Sequence, residues 1–327
     1  MTCNQRESVG IMTKPKVGII GLGAIGFEML KEFHANPDVE IGAVCDANGE
    51  RARQVAHEFN IPAAYTAYAD LLADPAIESV YIGVPPVYHC EIAVAAFAAN
   101  KHVLCEKPLA NSVGETVQMV EAAGKAGKIH AMNFPLNYTT PVREFARLVD
   151  EGYLGELRRV EITLQFPDWP RAWQQNDWIG KREQGGFVRE TAPHLLQMIQ
   201  RVFKELPELQ YKHTEYPDDP ELCERGIVAH FQMKNGALVI LRGGSHTAGE
   251  QKVELMAFGT KGVLALTNWD DLYGAQGSEP MTLLTSGGEY AQELISQFAA
   301  AMRGEPAELY DFTVGHQVQQ LLEELLD

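Results

Sequence analysis

Three short stretches of the 327-residue chain carry residue types whose spacing could do chemistry. The first is Gly21-Leu22-Gly23-Ala24-Ile25-Gly26, placed between the apolar run Val17-Gly18-Ile19-Ile20 and the helix-like Phe27-Glu28-Met29-Leu30. In a strand-to-helix turn, Gly21 permits the tight bend, Gly23 lets the backbone approach a pyrophosphate and Gly26 lets the helix pack closely on the strand. The N–H groups of the first helical turn, from Ala24 and Ile25 onward, are then aimed at the anion. Twenty residues beyond Gly26 comes Asp46, which can accept hydrogen bonds from both ribose hydroxyls of an adenosine and would repel a 2′-phosphate, favouring NAD over NADP. The blander alternative is that Asp46 merely caps the helix after it, and Arg51 leaves NADP possible. The second stretch, Glu106-Lys107-Pro108, ends an apolar run, and the third, Gly185-Gly186-Phe187-Val188-Arg189-Glu190-Thr191-Ala192-Pro193-His194, precedes an apolar helix. Hydride transfer from a secondary alcohol needs an apolar slot for a nicotinamide ring. Beside it must stand a group that takes the hydroxyl proton and steadies the developing oxyanion, and an ammonium and an imidazole suit those tasks.

The elements that must position these groups are legible as a pattern. From Lys16 to Asn133, short Val- and Ile-rich runs (16–21, 39–45, 79–84, 102–106 and 128–132) alternate with helical stretches such as 50–59, which predicts strand-helix-strand units feeding a parallel sheet. In such a sheet the carboxyl ends of the strands form the ligand crevice. Lys107 would then point at whatever the cofactor reacts with, where a lysine in a loop is more often simply solvated. After Asn133 the texture changes: a helix over 141–150, a strand in Gly155-Glu156-Leu157-Arg158-Arg159-Val160-Glu161-Ile162-Thr163-Leu164-Gln165-Phe166, a Trp-rich loop, and a helix over 194–203. The alternating runs 226–233 and 237–242 flank Lys234-Asn235-Gly236, a hairpin signal, so antiparallel sheet is expected there. Amphipathic helices over 292–302 and 313–325 close the chain. The expected boundary falls near Phe134 to Asn137, dividing the chain into residues 14–134 and 135–327.

Composition narrows the partners. A formal charge of −17 repels phosphate backbones and anionic membrane surfaces, so neither nucleic acid nor membrane is expected. Cys3, Cys45, Cys90, Cys105 and Cys223 show no paired spacing, which argues against a disulfide framework or a thiolate metal site and fits a reducing cytoplasm. The first sixteen residues lack the apolar core of a signal peptide, and no run approaches membrane-spanning length.

Taken together, the glycine motif, Pro85-Pro86, His89, Glu106-Lys107-Pro108 and the glycine pair before His194 resemble the glucose-fructose oxidoreductase and inositol dehydrogenase family, Gfo/Idh/MocA, over essentially the whole chain. The resemblance implies an N-terminal Rossmann domain with a doubly wound parallel sheet. A C-terminal α+β domain would follow, with a large, mainly antiparallel open sheet that binds substrate and pairs subunits into a homodimer or homotetramer. It implies NAD- or NADP-dependent oxidation or reduction of a sugar, sugar acid or cyclitol. It also implies that Lys107 hydrogen-bonds the reacting oxygen, with a strained or cis arrangement at Pro108, and that His194 transfers the proton. Pro85, His89, Glu106, Lys107 and Trp178 are expected at the cofactor.

The chain departs from the family's Asp-x-Gly-x-His pattern: Glu190 replaces the Asp, Ala192 the Gly, and Pro193 precedes His194. Pro193 is expected in the first turn of its helix, where a missing N–H costs nothing. If that helix starts near Arg189, Glu190 and His194 share a face and the carboxylate would raise the imidazole pKa; if it starts at Pro193, they are separated. Glu190 is the third catalytic candidate, orienting His194 or touching substrate. Trp169, Arg171, Trp173 and Trp178, with Asn176 and Lys181, could wall a polyol site or merely anchor a long loop. The arginine that in the family commonly follows the tryptophan matched by Trp178 is Ile179 here. Asn133, Asn137 and Tyr138 could line the cleft or cap the linker helix. Two other readings share these residues: NAD-dependent glycoside hydrolysis through transient oxidation, and a non-catalytic dinucleotide sensor.

Overall fold

A computed structural model describes residues 14–174, 176–287 and 291–327 of the chain; Cys3 and the polar amino-terminal stretch up to residue 13 lie outside the described residues. The first half runs β1 (Lys16–Ile20), α1 (Ala24–Ala35), β2 (Glu40–Cys45), α2 (Gly49–Glu58), β3 (Ala63–Tyr65), α3 (Tyr68–Ala73), β4 (Ser79–Ile82), α4 (His89–Ala98), β5 (His102–Cys105), α5 (Val113–Ala126) and β6 (His130–Met132). The strands form one parallel sheet in the order β3-β2-β1-β4-β5-β6. Such an order reverses between β1 and β4, and the crevice opens there. Val17, Ile19, Val80, Ile82, Val103 and Leu104 are buried, as strands covered by helices on both faces require. Three of the expected strands extend beyond the observed ones, to Gly21, Val84 and Glu106, because the residues after Ile20, Ile82 and Cys105 leave the sheet to build the crevice rim. The short β3, Ala63-Ala64-Tyr65, carries too little branched apolar character to be read from sequence.

The second half runs α6 (Thr140–Asp150), β7 (Leu157–Phe166), α7 (Phe187–Phe203), β8 (Glu208–Glu215), β9 (Gly226–Gln232), β10 (Leu238–Ser245), β11 (Lys252–Gly259), β12 (Gly262–Thr267), β13 (Asp271–Gln276), β14 (Thr282–Ser286), α8 (Ala291–Met302) and α9 (Phe312–Leu326). Its strands form an eight-stranded sheet, β14-β13-β12-β11-β7-β10-β9-β8, antiparallel except for the parallel pair β7 and β10. Along β7, Val160, Ile162, Leu164 and Phe166 are fully buried beneath helices while Glu161, Thr163 and Gln165 face the open side. The two closing helices return to the first half: α8 packs on α1, and α9 packs on α5 and β6 as well as on α7.

One expectation fails in α7. The helix begins at Phe187, a full turn and a half before Pro193, so the proline lies inside it rather than in its first turn. Two features outside the helical pattern move the start forward. Gly186 has φ +107°, a conformation that turns the chain into the helix and that side chains disfavour. The carboxylate of Glu224, from the loop before β9, accepts the Val188 N–H at 2.7 Å and serves as a cap from far along the chain. Within the helix, Pro193 has no N–H for the Arg189 carbonyl and its ring crowds that carbonyl.

Candidate active site

A cavity of about 1060 Å³ runs from the glycine turn at β1 to the face of α7, bounded by the carboxyl ends of the first sheet's strands and by the Trp-rich loop. At one end, Gly21 has φ +93°, and a Cβ there would lie 2.4 Å from the Gly83 carbonyl oxygen; a Cβ on Gly26 would lie 2.1 Å from that of Gly21. Backbone therefore meets backbone, and only glycine fits. Gly23 differs: a Cβ there would meet nothing within 4 Å. That open space lies at the start of α1, where Gly23 caps the helix with no side chain and the first-turn N–H groups remain available to an anion. The cradle fits a dinucleotide pyrophosphate. Asp46 stands beside it, one carboxylate oxygen accepting the Leu22 N–H at 2.9 Å and the other the Asn48 N–H at 2.8 Å, with Arg51 3.4 Å away. Asp46 thus holds the glycine turn, and Asn48 rather than Asp46 caps α2.

At the other end, the chain leaves β5 through buried Glu106 and a cis Lys107–Pro108 bond. The Glu106 carboxylate accepts from Tyr81 Oη at 2.7 Å, from Asn133 Nδ2 and from the Lys107 N–H at 3.2 Å; its burial pushes its pKa up. Lys107 Nζ crosses to α7, donating to the Glu190 carbonyl at 3.0 Å and to Glu190 Oε2 at 3.2 Å. Gln174 Nε2 approaches the same Oε2 at 3.4 Å.

Glu190 and His194 occupy one face of α7, yet the expected rise in the imidazole pKa is reversed. Burial, then the nearby charges of Lys107 and Arg171, push His194 well below its usual value. Glu190 is committed to Lys107 and Gln174, so the carboxylate that would have supported an imidazolium is turned elsewhere. Among the described residues His194 Nδ1 is sealed from solvent without a hydrogen-bond partner. The ring is held by packing, edge-to-face between Phe134 (centroids 6.2 Å apart) and Trp269 (5.7 Å). A neutral, desolvated imidazole facing a cavity can accept a proton.

The remaining candidates divide. Pro85, Trp173, Trp178, Arg171, Asn133 and Asn176 line the cavity along with Ala24 and Ile25. Trp169 does not: it is buried against Phe166 and Phe187, and its indole N–H donates to the Ile179 carbonyl, so it anchors the loop. His89 is also away from the cavity lining, its two ring nitrogens 2.8 Å from the Val84 carbonyl and 3.0 Å from that of Pro108, a tie between two crevice loops. Asn137 donates to the Phe134 carbonyl and to Gln197, and the Tyr138 hydroxyl donates to the Glu308 carbonyl at 2.7 Å; both brace the linker rather than reach the cleft. Lys181 pairs with Glu221 at 2.9 Å outside the cavity lining.

Sequence reasoning missed Gln174, Trp269 and Glu224. Gln174 lay within the loop already singled out, but an amide carries no titration signal. Trp269, with φ +78°, reaches the cavity from the turn between β12 and β13, and nothing local marks it.

Residues 15–134 match a family model described as the Gfo/Idh/MocA oxidoreductase family with an NAD-binding Rossmann fold, and residues 142–265 match that of the Gfo/Idh/MocA C-terminal domain. An uncharacterized oxidoreductase of Bacillus subtilis, YrbE, is 29% identical over 79% of this chain and 75% of its own. Myo-inositol 2-dehydrogenase of Thermotoga maritima is 25% identical over 77% and 75%. The solved structure of a levoglucosan dehydrogenase in complex with NADH and levoglucosan has the same fold, with TM-score 0.81 at 21% identity over 96% of each chain.

Proposed function

Since the chain belongs to the Gfo/Idh/MocA oxidoreductase family, we propose that it is an NAD-dependent dehydrogenase transferring hydride between the nicotinamide and a secondary alcohol or ketone of a sugar, sugar acid or cyclitol. One observation carries this reading: a single cavity joins the dinucleotide cradle at Gly23 to Lys107, Glu190 and His194, groups from opposite halves of the chain. The myo-inositol 2-dehydrogenase relative supports a polyol substrate.

NAD, when bound, supplies the hydride acceptor. An ammonium has three donors; Lys107 commits two to Glu190, and the third, which has no partner among the described residues, serves the substrate oxygen, where it steadies the charge that develops as the hydroxyl proton leaves. His194, kept neutral by burial, takes that proton. Glu190 aims the ammonium. Asn133 keeps one buried oxygen without a partner among the described residues, an acceptor for a ligand donor. Asp46 favours NAD over NADP, because a 2′-phosphate would face its carboxylate.

The protein is expected to work as a homodimer or homotetramer. The open face of the second sheet supports this with exposed Tyr211, Val228 and Leu238. No helix among the described residues is long and apolar enough to cross a membrane. Cys45, Cys90, Cys105 and Cys223 are free and buried, in keeping with a reducing cytoplasm.

Incubating the protein with NAD and a panel of sugars, uronates and cyclitols, and following NADH by absorbance, tests the proposal. Turnover that disappears in Lys107→Ala and His194→Ala is expected. Tight NAD binding with no reduction across the panel would overturn it, and release of free sugar without NADH would point to glycoside hydrolysis.

A further inference from the structure

Arg171 is held at the reacting end of the cavity with its binding edge unused. Its Nε donates to Gln174 Oε1 at 2.8 Å, and its guanidinium carbon lies 4.7 Å from the Trp173 ring centroid and 5.3 Å from that of Trp169. Among the described residues no carboxylate pairs with it, and neither terminal nitrogen makes a hydrogen bond. A guanidinium stacked on indoles and fixed at Nε keeps its Nη atoms in one plane, the geometry that takes an anion by two parallel bonds.

The position is set by a buried chain of contacts. Lys107 Nζ, Glu190 Oε2, Gln174 and Arg171 follow one another at 3.2, 3.4 and 2.8 Å. Gln174 is the middle of this chain: its amide nitrogen faces Glu190 and its oxygen takes the arginine, so the guanidinium cannot swing to the glutamate without giving up its bond to Gln174. Two carboxylates stand at this end and both are engaged with Lys107: Glu190 by an ion pair and Glu106 through the Lys107 N–H, Tyr81 and Asn133. Glu190 reaches Arg171 only through space, so among the described residues the guanidinium sits in a partly desolvated wall with no carboxylate in contact with it. A cation so placed, with no carboxylate in contact, gains from a ligand that brings a counter-charge to its open edge. The cofactor's pyrophosphate is a poor candidate, because its cradle lies at the opposite end, at the start of α1.

We propose that the substrate carries a carboxylate, seated on the Nη edge of Arg171 while Lys107 and His194 act on a neighbouring carbinol, so that the preferred substrate is a sugar acid or carboxylated cyclitol and not its neutral counterpart. One guanidinium edge matches a planar monoanion; a phosphate dianion would call for further donors, and no second cation is left over among the described residues lining this end. This inference rests on the dehydrogenase reading and narrows it.

Two measurements test it. The first compares matched pairs in turnover, glucose against glucuronate and glucose against glucose 6-phosphate. The second titrates the same compounds calorimetrically into the NADH-loaded protein. Glucuronate is expected to show at least a tenfold lower KM and Kd than glucose. In Arg171→Met, its KM should rise at least tenfold more than that of glucose, with kcat changed less than KM, and Arg171→Lys should restore only part because it cannot bind bidentately. Equal preference for glucose and glucuronate, or equal losses for both in Arg171→Met, would overturn the inference, as would a preference for the phosphate. Arg171-dependent binding of glucuronate without any NADH production would uphold it while removing the dehydrogenase reading; failure of every compound to bind would remove the inference directly.

Discussion

Lys107 Nζ lies 3.2 Å from Glu190 Oε2 and 3.0 Å from the carbonyl oxygen of the same residue. An ammonium supplied by a strand end of the first sheet is thereby fastened to a helix of the second half through two atoms of one glutamate. Replacing Lys107 by Ala removes the proposed donor to the substrate oxygen and should lower kcat by about a hundred- to ten-thousandfold. Glu190→Gln keeps the backbone contact and loses only the carboxylate, so a smaller loss is expected. Steady-state kinetics check both, with NADH fluorescence titration showing that cofactor binding persists.

The depressed pKa of His194 places its ionisation below the ordinary histidine range. The acid limb of kcat/KM should therefore fall below pH 6.5, with activity flat through neutrality. Stability follows the same sign. The unfolded chain takes up a proton near pH 6.5 while the folded imidazole resists it, so this residue's contribution is full above that pH and is lost as pH falls toward the folded value. Wild type should lose more thermal stability between pH 7 and 5.5 than His194→Phe, as scanning calorimetry would show; an equal loss would contradict the assignment.

Glu224 behaves oppositely. Burial lifts its carboxyl to about 7. A folded pKa above the unfolded 4.5 means that stability declines as pH rises between those values, by an amount on the order of 1 to 3 kcal/mol. Glu224→Gln retains an acceptor for the Val188 N–H without the charge, so urea unfolding should find the variant gaining on wild type between pH 5 and 8. Glu224→Ala removes the cap and should cost about 1 kcal/mol or more.

Substitutions at Gly23 and Gly26 are expected to separate cofactor binding from folding. A methyl at Gly26 would strike the Gly21 carbonyl, so Gly26→Ala should destabilise the fold. A methyl at Gly23 meets no protein atom and enters the pyrophosphate cradle, where the backbone, at φ −68°, accepts alanine. Gly23→Ala should leave the melting temperature nearly unchanged and weaken NAD at least tenfold, measured by calorimetric titration. An unaltered Kd would place the pyrophosphate elsewhere.

Asp46→Ala should relax cofactor choice. Loss of its carboxylate frees the Leu22 N–H and leaves Arg51 without its partner, so the ratio of NAD to NADP efficiency should fall about tenfold or more, read from paired kcat/KM values.

The sequence by itself determined the parallel sheet of the first half, apart from the short edge strand β3, and its cradle. Glycines at 21, 23 and 26, five branched apolar runs and Asp46 act through local sterics and periodicity, which travel with the chain. It also brought forward Lys107, Glu190 and His194, through motif context. What it could not determine was the environment of those groups. The start of α7 is set by Glu224, more than thirty residues away; the imidazole's neutrality comes from burial between Phe134 and Trp269; Trp169 and His89 face inward instead of lining the cavity. These outcomes depend on desolvation and on which long-range partner claims each hydrogen bond, and both come into being only when the two sheets pack together.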